Sequence, residues 1–261
     1  MRRTFTNDLV EKFKVKGEHT ITVNSDGEEF ETSMSLLNNR VFTFSKVEPD
    51  GKAMFRYADT DYTGTETSDG ETTKIENPEF YDEIFTAKVN PFMECADIKV
   101  QATEAGGEDE DEEVDPIGDA LGASDLSQYY FQLPTKAVKP GDEWSIPIKQ
   151  EKLFKPNQVV KGKFRGASKW EEQDVLVIEY TTTADLDVNL DEYDNGKPAF
   201  PDITGAKLTA QVNDIAIVYL NPKDFSILYC LDKVTMTLEF KSSEANMTMK
   251  NKGEEEMRRT K

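Results

Sequence analysis

The feature that most constrains the fold of this chain is a strict alternation of apolar and polar residues over positions 233–240, KVTMTLEF. An extended strand points successive side chains to opposite faces, so a period of two predicts a β-strand with one apolar face. The residue types favour strands as well. One buried and one solvated face is typical of an antiparallel sheet. The predicted apolar face carries Val234, Met236, Leu238 and Phe240.

Three other segments have the pattern of two strand-like runs around a tight turn. The turns are PDG at 49–51, EEQD at 171–174 and NPKD at 221–224. Proline presets φ in such turns, and glycine tolerates positive φ. The repeated hairpins predict a mainly β fold of antiparallel meander sheets, arranged as a curved sheet, a half-barrel or a sandwich.

Helix signals are few, and we expect two or three short helices. The strongest lies at 77–85, where an Asn-Pro-Glu sequence supplies a cap, a first-turn proline and a first-turn acid. A second helix is predicted at 116–121. The segment TNDLVEKFK, 6–14, is compatible with helix or strand. The charged tail, 251–261, is predicted to be frayed or helical.

The acidic segment EAGGEDEDEEVD, 104–115, is the one low-complexity run in the chain. Like charges repel one another and keep such a run extended and solvated. We therefore expect an N-terminal β portion over 1–103, an acidic linker over 104–127 and a C-terminal β portion over 128–261. The two β portions can pack together as one domain.

The net charge of −20, from 31 Lys and Arg against 51 Asp and Glu, argues against two classes of function. Nucleic-acid binding depends on cations that displace phosphate counterions. An anionic membrane surface would repel the chain for the same reason. No apolar run approaches the roughly 20 residues that span a bilayer as a helix. We predict no nucleic-acid partner and no transmembrane segment.

The N-terminal sequence MRRTFTNDLVEKF leaves the cellular location open. It begins with basic residues, as export signals do, but no apolar segment follows them. The protein is cytoplasmic if Met1 is the native start. It is periplasmic or attached to the outer envelope if an export signal has been removed.

Two cysteines, Cys95 and Cys230, lack the spacing of a redox or zinc motif. Cys230 lies in the apolar run FSILYCL and is predicted to be buried. Two buried thiols are the favoured interpretation, and a disulfide between them is the alternative.

The phrase LPTKAVKPGDEWSI, 133–146, is interpreted as structural and not catalytic. Its KPGD sequence, 139–142, fits a type II turn, with proline second and glycine third. The alternation that follows predicts a strand with Trp144 on the buried face. Pro147 cannot donate a hydrogen bond to a neighbouring strand, so this strand is predicted at a sheet edge or at a bulge.

Residues of this phrase resemble the "LP…V..GD.W" phrase of an uncharacterised family of bacterial exported β-rich proteins and lipoproteins. An early "V..DG.A" hairpin, a middle helix, a polar linker and closing meander strands extend the resemblance along most of the chain. It implies an envelope location and a β-rich fold akin to curved half-barrels that hold lipid or lipoprotein chains. It assigns no chemistry. The matching residues are Leu133, Pro134, Val138, Gly141, Asp142 and Trp144, with Val47, Asp50, Gly51 and Ala53 in the hairpin.

No catalytic constellation is recognisable. His19 is the single histidine, so a Ser-His-acid or Cys-His site would have to use it, and no GxSxG-type nucleophile motif is present. We expect His19 to be an exposed strand residue near a turn. The sequence predicts no catalytic residue, no metal ligand and no cofactor, and we expect a protein that is not an enzyme.

Two acidic segments, 108–115 and 184–196, could hold Ca²⁺ through oxygen ligands. The second has Leu190 where a calcium loop requires glycine. We interpret the first as a solvated run and the second as an amphipathic strand, with a calcium-binding module as the alternative. The candidate ligands of the second segment are Asp185, Asp187, Asn189 and Asp191.

The sequence favours a non-enzymatic binding or structural protein of the bacterial cell envelope, which holds an apolar ligand or a protein partner. An apolar ligand would lie on the concave face of the C-terminal portion, beside strands at 175–180, 215–220 and 227–231. Without a ligand, the same residues fill the core. Methionine adapts to varied shapes, so the lining is predicted to include Met236, Met247 and Met249.

A carboxylate-dependent hydrolase is the alternative function. Such an enzyme needs two carboxyl groups held a fixed distance apart, and no spacing in the sequence selects a pair. The aromatic cluster Tyr129-Tyr130-Phe131 could face a ligand, but packing beside the Trp144 strand is the favoured interpretation.

Overall fold

The computed structural model describes residues 1–25, 27–76, 84–101, 131–146, 157–192, 204–243 and 245–260. Within these ranges the one helix is a 3-10 turn, Leu190–Glu192. The strands are β1 (Leu9–Ser25), β2 (Glu28–Ser45), β3 (Ala53–Ser68), β4 (Glu71–Glu76), β5 (Ile84–Val89), β6 (Cys95–Gln101), β7 (Glu143–Ile146), β8 (Asn157–Trp170), β9 (Gln173–Asn189), β10 (Lys207–Leu220), β11 (Ile227–Lys241) and β12 (Asn246–Arg259).

All twelve strands belong to one open, curved antiparallel sheet, which confirms the predicted fold class. Their order is β6-β5-β3-β2-β1-β12-β11-β10-β9-β8-β7, with β4 paired to β3. From β1 the chain runs outward by hairpins to the β6 edge. It continues from the β7 edge and returns by hairpins to β12, which pairs with β1 in the middle of the sheet.

The three predicted hairpins are present as β2–β3, β8–β9 and β10–β11. Gly51 has a φ of 86°, which the first turn requires. In the β8–β9 turn both Glu171 and Glu172 have positive φ, at 46° and 67°. Positive φ at both central residues gives a turn whose twist matches that of the flanking strands, although glutamate rarely adopts it.

Two helix predictions are wrong where the structure describes them. Ile84 and Phe85 begin β5, which pairs with both β3 and β6. The charged tail is not frayed, because residues up to Arg259 form β12, paired on both sides. Hydrogen bonds to two neighbouring strands outweigh a weak local helix preference. The segment 6–14 becomes a strand at Leu9, and 116–121 lies outside the described residues.

Both predicted β portions contribute to the same sheet and to one main core. Phe13 and Phe44 from the first portion share that core with Ile178, Val218 and Met257 from the second. The predicted linker lies outside the described residues. The β1–β12 pairing therefore makes the two portions continuous at the centre of the sheet.

The turn before β7 has the predicted form. Gly141 has a φ of 96°, and the Asp142 amide donates a hydrogen bond to the Lys139 carbonyl oxygen at 3.0 Å, as a type II turn requires. Among the strands that the structure describes, β7 lies at the end of the order, which agrees with the prediction of an edge or a bulge. Trp144 packs against the main core and donates from Nε1 to the Gln132 carbonyl oxygen at 3.2 Å.

Candidate functional site

The sheet has two unlike faces, which we call the core face and the outer face. Alternate residues of β1, including Phe13 and Val15, are buried on the core face, while Lys12, Lys14 and Lys16 are exposed on the outer face. Paired residues of antiparallel strands point to the same side, so the register extends these faces across the sheet. Any site on the core face must therefore be built from one alternate set of residues in each strand.

The main core occupies one end of the core face and is closely packed. Phe5 stacks on Phe44 with ring centroids 4.7 Å apart, and Phe44 is fully buried. Connecting segments cover these rings. The Arg3 amide donates to the Pro91 carbonyl oxygen at 2.8 Å, and the Leu133 amide donates to that of Phe92 at 2.8 Å. The second bond links the chain before edge strand β7 to the turn before edge strand β6.

A buried ion pair joins Arg3 to Glu11 within this core. Arg259 also approaches Glu11, with Nη2 at 3.2 Å from Oε1. The Arg3 guanidinium lies 4.7 Å from the centroid of the Phe44 ring. Two guanidinium groups thus neutralise one buried carboxylate, which fixes the N-terminal segment over the core.

Next to the main core, a set of charged residues crosses the core face, and we call it the polar belt. On β12 it follows Met257 of the main core, and on β11 it follows Cys230. Its members are Arg40, Asp59, Asp214, Asp232 and Glu255.

Arg40 organises one half of the polar belt. Its guanidinium makes a bidentate contact with Asp59, at 3.0 Å and 2.9 Å, and donates to Glu255 at 2.7 Å. Asp59 also accepts hydrogen bonds from the hydroxyls of Tyr57, at 2.5 Å, and Tyr62, at 3.1 Å. Burial acts to lower the pKa of Arg40, but its carboxylate neighbours, Glu255 foremost, hold it well above the usual value.

Asp214 and Asp232 form the other half, on the neighbouring strands β10 and β11. Burial, followed by a hydrogen bond and repulsion from Asp214, raises the pKa of Asp232 to about 9. The raised pKa favours the protonated form of Asp232, which can donate a hydrogen bond to Asp214. Two carboxyls that share one proton can act as an acid and a base, which is a chemical capability that catalytic sites use.

Beyond the polar belt, the core face carries partly exposed apolar side chains, which we call the methionine patch. Cross-strand pairing aligns Phe30, Val23, Met249 and Leu238 in one row over four strands. Leu238 is fully buried, whereas Phe30 is 46% exposed. The burial of the apolar side chains thus decreases along this row from Leu238 to Phe30. The members of the patch are Ile21, Val23, Phe30, Met34, Val234, Met236, Met247 and Met249.

The opposite side of the same strands is polar and forms a groove of about 700 Å³. We call it the hydroxyl groove. Its side chains come from two adjacent rows on the outer face that cross β3, β2, β1, β12 and β11. The lining residues on the outer face are Glu18, Thr20, Ser33, Ser35, Thr65, Thr67, Lys233, Thr235, Lys252 and Glu254. His19, Met34, Val234 and Gly253, which lie between the two rows in the strands, also border the groove.

The three methionines predicted to line an apolar surface, Met236, Met247 and Met249, do share the core face, as their pairing register shows. Met247 and Met249 pack against a second buried apolar cluster that includes Leu208 and Leu238. The apolar stretches at 175–180, 215–220 and 227–231 lie elsewhere. Their core-facing residues fill the main core, among them Ile178, Tyr180, Ala216, Val218, Leu220, Ile227 and Cys230.

His19 is in a strand, as predicted, but it is neither exposed nor near a turn. It lies in the middle of β1 on the core face and is partly buried. A Cβ atom on Gly253, which is paired with His19, would lie 2.4 Å from Nδ1. The glycine therefore leaves the space that the imidazole ring occupies.

The calcium-loop candidate at 184–196 is an amphipathic strand where it is described, as the alternation predicted. Leu186 and Val188 are buried in β9, and Asp185, Asp187 and Asn189 are exposed. Asp187 pairs with Lys207 at 3.0 Å, and Asp191 accepts hydrogen bonds from the amides of residues 205 and 206. The other candidate, 108–115, lies outside the described residues. Across the described ranges, no three His, Cys, Asp or Glu side chains are grouped so that they could hold a metal ion.

The remaining candidates behave as packing residues where they are described. Both cysteines are free; Cys230 is buried and Cys95 is partly buried. Burial raises the pKa of each thiol. Phe131 packs on Tyr180 with ring centroids 5.4 Å apart, and Tyr129 and Tyr130 lie outside the described residues.

The polar belt was missed in the sequence, although a signal for it was present. Each member stands at a position where the alternation of its strand would place an apolar residue that faces the core. In β10, Asp214 follows Leu208, Ala210 and Val212 at every second position, and in β11 Asp232 falls between Cys230 and Val234. Charged residues on the buried side of a strand are rare unless they are paired. The alternation could therefore have identified these acids as candidates.

Comparisons with known proteins find no close relative. No family model matches the chain, and no curated protein matches it. Solved structures that match weakly include the following three. DynF from the dynemicin biosynthesis pathway of Micromonospora chersina is 8% identical, over 97% of this chain and 83% of that chain, with a TM-score of 0.22. The translocator domain of autotransporter NalP from Neisseria meningitidis is 8% identical, over 96% and 88%, with a TM-score of 0.24.

The third structure is a DUF1329 family protein from Desulfovibrio piger, 9% identical over 92% of this chain and 83% of that chain, with a TM-score of 0.16. At these TM-scores the similarities carry no argument about the function of this chain. A helix long and apolar enough to cross a membrane does not occur in the ranges that the structure describes.

Proposed function

We propose that this chain is a non-enzymatic binding protein of the bacterial cell envelope, which holds an apolar ligand on the methionine patch. One observation carries the proposal: beyond the polar belt, the core face of strands β1, β2, β11 and β12 is mostly apolar, with Thr32 and Asn251 among the apolar residues, and most of it is only partly buried. The outer face of the same strands is polar. These strands therefore present an apolar surface that is not fully buried, although Met247 and Met249 also pack against the second apolar cluster.

An apolar surface of this kind favours a ligand because covering it releases free energy. Burial contributes about 25 cal/mol per Å² of apolar surface, and soluble monomers rarely leave large contiguous apolar patches open. The patch includes Met34, Met236, Met247 and Met249, whose flexible thioether side chains adapt to different shapes. A ligand with a varied or mobile acyl chain suits such a surface better than one of fixed shape.

The polar belt sets the inner limit of the proposed site. Charged groups such as Asp214 and Glu255 border the patch on the side of the main core, and an apolar chain gains nothing by covering them. The ligand would thus lie along the partly exposed part of the strands. The envelope location is part of the proposal and depends on the resemblance of the 133–146 phrase to exported bacterial proteins.

Native mass spectrometry of the protein purified from a bacterial host tests the proposal. We expect bound lipid, and a fluorescent fatty-acid analogue should compete for the same site. Met236→Glu should abolish the bound mass, because it places a charge in the apolar patch. Thr237→Glu is the matched control, since it adds the same charge to the outer face of the same strand. A protein free of lipid that also fails to bind the analogue would contradict the proposal.

A second candidate, a carboxylate-dependent hydrolase, is favoured by the Asp214–Asp232 pair. Raised carboxyl pKa values are common at catalytic sites, although structural networks produce them too. A panel of glycoside and ester substrates, measured with the unaltered protein and with Asp232→Asn, separates the two functions. Turnover that the substitution abolishes in a folded protein would replace the binding proposal with this one.

A further inference from the structure

We propose that the hydroxyl groove on the outer face binds a saccharide that carries one anionic group, a carboxylate or a phosphate. This site lies on the opposite side of the sheet from the methionine patch and does not depend on it. Its volume of about 700 Å³ falls within the range of small-molecule sites.

Two lysines and two glutamates line the groove, and the one of these charges without an ion pair among the described residues is positive. Lys233 is paired with Glu254 at 2.7 Å, and Glu18 is paired with Lys16 at 2.9 Å. Lys252 has no ion pair among the described residues, so its ammonium group is the free charge of the groove. A carboxylate or phosphate on a ligand would supply the missing partner.

The neighbours of Lys252 select for a hydroxylated ligand. Cross-strand pairing places Thr235 and Thr20 on either side of Lys252, followed by Ser33 and Thr67 along the same row. The hydroxyls of Thr20 and Ser33 are 3.4 Å apart. Thr235 donates to the Asn213 carbonyl oxygen at 3.4 Å, and Thr67 shares a hydrogen bond with Thr72 at 2.9 Å. Each hydroxyl can donate one hydrogen bond and accept two, so these groups keep acceptor capacity for a ligand.

The geometry of the row also suits a chain of sugar units. Neighbouring strands lie about 4.8 Å apart, so the hydroxyls repeat at a distance comparable with the length of one sugar unit. The overall charge of −20 repels ligands with many negative charges, which excludes a polyanion such as a nucleic acid. A short saccharide with one anionic group satisfies both conditions.

Nuclear magnetic resonance titration of the labelled full chain tests the proposal. The probes are a saccharide with one uronic-acid unit, the neutral saccharide of the same length, the corresponding sugar phosphate and inorganic phosphate. We expect the two acidic saccharides to shift the Thr20, Ser33 and Lys252 signals at lower concentration than the neutral one. The relative affinities of the carboxylate and phosphate forms identify which anion the groove accepts.

Substitutions then locate the anion. Lys252→Gln should weaken binding of the acidic saccharide about tenfold, because it removes a charged hydrogen bond. Lys250→Gln is the matched control, an exposed lysine on the same face and strand that does not line the groove. An equal loss in both variants, equal binding of inorganic phosphate alone, or no shift of groove signals with any saccharide would overturn the proposal. Unchanged melting temperatures confirm that both variants fold.

Discussion

The main core and the methionine patch are made by the same strands and the same alternation, yet one is closed and the other is accessible. In β1, the first half alternates cleanly between buried and exposed residues, whereas residues 19–23 are partly exposed on both faces. The difference comes from what covers them. Connecting segments that include Arg3 and Leu133 lie over the phenylalanines of the main core. An alternating strand therefore identifies an apolar face but does not show whether that face is covered.

The largest expected contrast between the two regions is in stability. Phe44→Ala should destabilise the protein by about 3–5 kcal/mol, because it leaves a cavity in a fully packed site. Met249→Ala should cost about 1 kcal/mol or less, since its partly exposed side chain loses fewer contacts and leaves no closed cavity. Urea unfolding measures both changes. Equal losses would show that the methionine patch is as closely packed as the main core.

The polar belt, which lies between the main core and the methionine patch, should make the stability of the protein depend on pH. Asp232 keeps its proton in the folded protein up to a pKa of about 9, whereas the unfolded chain loses it near the ordinary carboxyl value. The folded state then holds more protons than the unfolded state, so stability falls as pH rises from about 4 towards 9, by at most about 1.4 kcal/mol per pH unit from this group.

Asp232→Asn should remove that part of the pH dependence, because the amide cannot ionise. Unfolding free energies at pH 5, 6, 7 and 8 would show a flatter profile for the variant, with Asp187→Asn, an exposed carboxylate on β9, as the control. A variant profile parallel to that of the unaltered protein would mean that Asp232 is ionised in the folded state.

Alanine substitutions at two glycines, Gly162 and Gly253, should show a smaller difference in stability between a tightly packed and a partly exposed site. A Cβ atom on Gly162 would lie 2.3 Å from the Trp144 ring, which the main core and Gln132 hold in place. Gly162→Ala should therefore cost about 1–3 kcal/mol through overpacking. Gly253→Ala brings a Cβ atom equally close to His19, but that ring is partly exposed and can rotate away. Thermal melts should show a clear loss for the first and a small one for the second.

The fold could be predicted from the sequence to a large extent, since hairpin turns and alternation are local signals. The pairing of β1 with β12 could not, because no local pattern specifies which of two distant strands will meet. The tail over 251–259 was misread for the same reason. Its residues GEEEMRR are charged, but Glu255, Met257 and Arg259 point to the core face, while Glu254, Glu256 and Arg258 point outward.

The candidate sites were less predictable than the fold. The alternation correctly placed Met236, Met247 and Met249 on one face, but it did not reveal that Arg40 and Asp59 would meet Glu255. These contacts cross four strands and join residues 215 positions apart in the chain. The single free charge of the hydroxyl groove likewise depends on which neighbours form ion pairs. Such partners follow from register, which is fixed only when the whole sheet assembles.

The central position of the β1–β12 pair has a consequence for how the protein folds in time. Among the described strands β1 is synthesised first and β12 last. Next to this strand pair, Thr260 donates a hydrogen bond to Lys12 across a separation of 248 residues. Contacts that distant slow folding, because a long chain must close before they form. Until β12 is present, β1 and β11 each offer a long unpaired edge to other chains. We expect refolding to be slow and prone to aggregation at high protein concentration. The final step would be the insertion of β12 between β1 and β11.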